Sequence, residues 1–130
     1  MKEIVISIII VILIFVGNFV TEKFTNESVQ EATTILSELR EEVIKEDEEV
    51  DFEFAKQKVD EMHEKWDERY EKLAYYIEHN ELEKVETEFT ALRAYIDKQE
   101  YTEVLAELDK SVYVLEHIKQ KNMFDLKNIF

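Results

Sequence analysis

Proline and cysteine are absent from the 130 residues, and glycine occurs once, at Gly17. Without cysteine there is no disulfide framework, no thiolate nucleophile and no thiol for lipid attachment. With no glycine beyond Gly17, turns that need a positive φ lack their usual residue, and tight β-hairpins are disfavoured. A glycine-rich phosphate loop is excluded. Positive charge is also scarce: 16 Lys and Arg stand against 31 Asp and Glu, a formal net charge of −15. Such a surface repels phosphates, so neither a nucleic-acid partner nor polybasic headgroup binding is expected.

What remains is rich in Glu, Lys, Leu, Ala and Gln, all good helix formers, and the chain reads as all-α. The stretch from Ile4 to Val20 carries no charge; only Ser7, Gly17 and Asn18 interrupt Ile, Val, Leu and Phe. Its length of about seventeen residues reaches the lower limit for spanning a hydrocarbon core, and it lacks the polar face of a buried core helix. No Ala-x-Ala tripeptide follows it, so an uncleaved anchor is expected over a removed leader. Residues 1–21 are thus predicted as an N-terminal transmembrane helix, and residues 22–130 as an acidic helical domain. Lys2 before the run and the long acidic body after it place the N-terminus in the cytoplasm and the domain outside.

After Phe24 the pattern becomes periodic. Val29, Ala32, Leu36, Leu39 and Val43 form one helical stripe, expected to continue the anchor helix through Gly17. The acidic run Lys45 to Asp51 reads as a turn, with Asp51 capping a second helix. That helix carries Phe52, Ala55, Val59, Met62, Trp66, Tyr70, Leu73 and Ile77. Asn80 and Glu83 have the spacing of a capping box, predicting a third helix with Leu82, Val85, Phe89, Leu92 and Ile96 inside. A break at Asp97 to Tyr101 leads to a fourth, with Tyr101, Leu105, Leu108, Val112 and Leu115 inside, followed by an apolar tail, KNMFDLKNIF. Short connections predict an antiparallel helical bundle of about four helices. The third and fourth helices are expected to pack on the C-terminal half of the second, around Trp66, Tyr70 and Leu73. This leaves the stripe of the first helix covered only by the second and available for homo-oligomer formation.

The segments YIEHNELEKVE (Tyr76 to Glu86), LRAYI (Leu92 to Ile96), VLAEL (Val104 to Leu108), LEHI (Leu115 to Ile118) and NIF (Asn128 to Phe130), together with Trp66, carry a resemblance. The chain resembles the uncharacterised domain-of-unknown-function family 4363 of Gram-positive bacterial membrane-anchored proteins. One departure is Lys119, where the family pattern often has proline after the His-Ile pair. The resemblance implies no established activity. It implies a partner, because family members are often encoded near a small integral-membrane protein.

No residue set has the frame of a catalytic site, so no enzyme, cofactor or metal is expected. His79 and His117 are read as C-terminal residues of the second and fourth helices, at the membrane-facing end near Glu78, Glu81 and Glu116. Capping and imidazole–carboxylate hydrogen bonds are the expected roles there. His63, in DEMHEKWDE, lacks the second histidine of a helical zinc motif and is expected on a solvated face. Trp66, with Tyr70, Tyr75, Tyr76, Phe89 and Tyr95, reads as core at a helix junction, a ligand cleft being the alternative. The functional expectation is a membrane-anchored, non-enzymatic interaction or scaffold protein contacting an integral-membrane partner. Trp66, His79, Glu81, His117, Asn128, Ile129 and Phe130 are its candidate interaction residues. An extracytoplasmic ligand or divalent-metal sensor using the His79 and His117 end is the alternative.

Overall fold

A computed structural model describes the backbone of residues 1–45 and 49–129, with side chains over 1–45 and 49–123. Glu46 to Glu48, at the centre of the acidic run expected to be a turn, and Phe130 lie outside the described residues. Four helices make the fold: α1 (Lys2–Val43), α2 (Phe52–Leu73), α3 (His79–Asp97) and α4 (Tyr101–Ile129). α1 and α3 each pack on both α2 and α4, closing a four-helix ring. No strand occurs among the described residues.

α1 runs unbroken for 42 residues, through Gly17 and Asn18. The helix does not break at Gly17, where an added Cβ would meet nothing within 4 Å. The Thr21 hydroxyl donates to the Gly17 carbonyl at 2.8 Å, a contact made one helical turn back. The large side chains from Ile4 to Val20 are all exposed, from 48% at Ile14 to 67% at Phe19, and form an apolar shaft that projects from the bundle. This is a helix long and apolar enough to cross a membrane. Beyond Phe24 the same helix turns into a bundle wall, burying Thr25, Ser28, Val29, Ala32, Ile35, Leu36, Leu39 and Val43.

Glu42 and Asp51 fasten the link from α1 to α2. The Glu42 carboxylate accepts from the Asp51 amide at 2.9 Å, and the Asp51 carboxylate accepts from the Phe54 amide at 3.0 Å as the N-cap of α2. The hydrogen bond from Lys45, then that from Asp51, hold the Glu42 carboxyl below the usual carboxylate range.

α2 ends at Leu73, not at Ile77, because the chain tightens into turns with Tyr75 N–H on Lys72 carbonyl and Tyr76 N–H on Leu73 carbonyl. The capping box does not form. α3 starts at His79 with Glu78 as N-cap, whose carbonyl accepts from Glu81 and Leu82, so Asn80 lies inside the first turn. Glu83, the would-be partner of Asn80, instead faces the His79 imidazole at 3.0 Å.

The turn from α3 to α4 uses a positive φ without glycine. Gln99 sits at φ 58°, the Glu100 amide donates to the Tyr95 carbonyl, and the Gln99 amide donates to the Ile96 carbonyl. This is a Schellman termination carried by a residue with a Cβ. α4 then absorbs the sequence read as a tail, since Lys119 supplies the amide that a proline would lack and the backbone stays helical to Ile129.

Two packing expectations are corrected. α3 covers α2 along most of its length, from Phe89 against Trp66 to the ion pair of Asp97 with Lys56 at 3.9 Å. The stripe of α1 is covered by α4 as well as α2, with Arg40 paired to Asp109 across that seam. The inner face of α4 is Val104, Glu107, Leu108, Ser111, Leu115 and Ile118; Leu105 and Val112 are its flanks, and Tyr101 is exposed.

Candidate functional site

The cations of this acidic bundle are spent largely on its helix seams. Between α1 and α2, Lys58 meets Glu38 at 2.8 Å, Arg69 meets Glu31 at 2.8 Å, and Lys65 meets Glu31 at 3.4 Å. Arg69 also donates to Ser28 and lies over the Phe24 ring, 5.4 Å from its centroid. Between α2 and α3, Arg93 pairs with Asp60 and, on its own helix, with Asp97 at 3.2 Å. The hydrogen bonds that Lys65 donates to Glu61, then to Glu31, raise its pKa above the ordinary value, in keeping with this use of charge.

The candidate interaction residues separate into four groups. Trp66 is buried at 2% exposure, edge-on to Phe89 with ring centroids 5.8 Å apart, and belongs to the core. Its surface is not offered to a partner. Glu81 and His117 do come together. Glu81 is 5% exposed at the first turn of α3, accepts from Lys84 at 3.3 Å, and turns its other oxygen towards the His117 Nε2 at 3.8 Å. His117 lies mid-helix in α4, not at its end, and its ring stacks on Tyr113, which is 73% exposed. His79 is exposed and paired with Glu83, so the two imidazoles serve different carboxylates. Asn128 and Ile129 lie on the last described turn of α4, but their side chains, like all of Phe130, are outside the described residues.

Around Glu81 the bundle end forms a cleft of about 40 Å³ lined by Tyr76, Ile77, Glu78, Glu81, Ile118, Lys121 and Asn122. Lys121 closes one side by meeting Glu78 at 3.0 Å. The cleft holds a water or two, well below the roughly 300–1,000 Å³ of small-molecule sites. The Phe24 ring, edge-on to Tyr76 at 6.4 Å, shows that this end of the bundle lies beside the emerging shaft of α1.

Sequence reasoning missed two sites. On the α3–α4 seam, Glu107 is 6% exposed and accepts from Lys110 at 2.7 Å. A hydrogen bond with Glu107, then burial and the neighbouring negative charge, push the Glu88 pKa above the ordinary carboxylate value. Burial raises Glu107 as well, but hydrogen bonds from Glu88 and Lys110 outweigh it and hold that carboxyl low. The second site is at His63, which is not on a solvated face. Its Nε2 lies 3.2 Å from Glu86 Oε2 on α3, and its ring meets the Phe89 edge at 5.7 Å. The partner comes from another helix, so no local motif announces it. Aligning the inner stripes of the second and third helices in antiparallel register would have brought the two into view.

Comparison with curated proteins and with solved structures finds no match. The sequence pattern of one family, described as Domain of unknown function (DUF4363), matches residues 23–129. That match begins where α1 leaves its apolar shaft and covers all four bundle walls. The chain belongs to this family.

Proposed function

We propose that the chain is a single-pass membrane protein whose acidic bundle stands outside the cytoplasm and acts, without chemistry of its own, as an interaction module for an integral-membrane protein. One observation carries this reading: the exposed aliphatic shaft and the first bundle wall are a single helix. Aliphatic side chains exposed all round a helix would drive aggregation in water, and lipid covers them without cost. Because no loop separates shaft from bundle, a partner that grips the shaft inside the bilayer also fixes how the bundle faces it. The outer face of α4, where Tyr113 stacks on His117, offers such a partner an aromatic contact above the membrane. The α1 stripe is already covered on two sides, so self-association by this chain would fall to the shaft.

The sensing alternative at the His79 and His117 end gains less support, since the two histidines are engaged by Glu83 and Glu81 in separate pairs.

The test is photocrosslinking of the full chain in its native membranes from Ile8 on the shaft and from Tyr113 on α4. The expected result is one integral-membrane protein captured from both positions, in material that resists alkaline extraction. Recovery of the chain in the salt-washed soluble fraction would overturn the anchoring; capture of lipid alone at Ile8 and nothing at Tyr113 would overturn the partner.

A further inference from the structure

We infer that His63 and Asp67 of α2, with Glu86 of α3, form a binding site for a divalent transition-metal ion of the zinc class. Among the described residues these side chains each offer one ligand atom, all within 4.8 Å of one another. His63 and Asp67 stand one helical turn apart and so share a face of α2, while Glu86 reaches them from the facing helix. The separation of 3.2 Å between His63 Nε2 and Glu86 Oε2 matches two ligands on one ion. At metal–ligand distances of about 2.0–2.1 Å, tetrahedral donor atoms lie about 3.3 Å apart. Asp67 is exposed, so packing does not hold its side chain in one orientation.

Charge points the same way. Elsewhere on the α2–α3 seam a cation answers the carboxylates: Arg93 for Asp60 and Asp97, Lys56 for Asp97. At the level of Glu86 that pattern stops. Among the described residues no lysine or arginine makes an ion pair with Asp67 or Glu86, leaving two negative charges side by side. The Glu86 Oε1 is shielded from solvent and has no hydrogen-bond partner among the described residues. A buried acceptor without a donor is costly; a cation between the carboxylates would neutralise their charge, and bidentate binding by Glu86 would also occupy the orphaned Oε1. Phe89 backs the imidazole and restricts its orientation, as a supporting wall does in a metal site. One nitrogen and two oxygen donors suit zinc and its first-row neighbours, with water completing the coordination. The ion would tie α2 to α3 halfway along the bundle. This site is independent of how the shaft is anchored.

The experiment is calorimetric titration of zinc chloride into the full chain in neutral detergent micelles, with thermal melts alongside. One saturable event per chain is expected, together with a higher melting temperature. His63→Gln, Asp67→Asn and Glu86→Gln should each weaken binding by about tenfold or more, and His79→Gln should leave it unchanged. Asp67 lies outside the core, so Asp67→Asn remains informative even if the other two variants fold poorly. Absence of a one-to-one event would overturn the inference. So would an event that survives Asp67→Asn, or one that His79→Gln abolishes.

Discussion

Replacing Phe89 by leucine tests whether the bundle is organised from the α2–α3 seam. Phe89 is fully buried, and its ring meets both Trp66, at 5.8 Å, and His63, at 5.7 Å. Full truncation of such a residue costs about 3–5 kcal/mol, a large part of the roughly 5–15 kcal/mol that holds a small domain together. Leucine keeps an aliphatic body in the site, so the cost reduces to imperfect filling plus the lost edge-on ring contacts, about 1–2.5 kcal/mol. For a bundle of this size that is a fall in melting temperature of roughly 5–15 °C. Far-UV circular dichroism of the full chain in detergent, melted by heat and by guanidinium, reads the change. Tyr113→Ala is the control, an aromatic deletion at a position 73% exposed, and should stay within about 0.5 kcal/mol of the parent. If Phe89→Leu costs no more than Tyr113→Ala, the core does not have its centre at Phe89.

Gln99→Gly should stabilise the bundle by about 1 kcal/mol, since it removes the Cβ from a left-handed backbone position at φ 58°; guanidinium midpoints measure it, and no gain would deny the strain. Glu88→Gln should stabilise it at neutral pH by about 0.5–1.5 kcal/mol, because the amide keeps a donor towards Glu107 at every pH. The sign follows from the raised Glu88 pKa: its contribution is complete below the ordinary value of 4.5 and is lost as pH rises through the folded-state value. The variant's advantage should therefore vanish in acid, where Glu88 carries its own proton, while the acid loss from protonating Glu107 persists in both proteins. Melting temperatures across pH give the comparison, and an advantage that is flat with pH would refute it.

Much of this fold was legible in the residues. Lack of proline, scarcity of glycine and stripes at three-four spacing are enough to specify helices. Val29, Ala32, Leu36, Leu39 and Val43 on the first helix, and Leu82, Val85, Phe89, Leu92 and Ile96 on the third, are all buried. The fourth helix was harder to read because the polar residues Glu107 and Ser111 stand among the apolar residues of its inner face. Ser111 occupies a central position at 0% exposure, a small polar residue that hides the stripe, while the flanking Leu105 and Val112 advertise a false one. The start of the third helix misled for a different reason: Asn80 and Glu83 have capping spacing, but the helix begins at the Glu78 carbonyl, which accepts from Glu81 and Leu82. At the candidate site, the meeting of Glu81 with His117 at one end of the bundle was within reach of helix-end reasoning. The pairings of His63 with Glu86 and of Glu88 with Glu107 depend on how helices are rotated about their axes, which one-dimensional patterns encode only weakly.

The unbroken α1 has a mechanical consequence. A rod of 42 residues, roughly 60 Å long, transmits twist and tilt with little loss. Turning it about its axis at Ile8 therefore turns Leu39 by a similar angle. The other three helices must then either rotate with it as a block or slip past it and break the Arg40–Asp109 clasp. The apolar shaft and the first bundle wall are thus one piece.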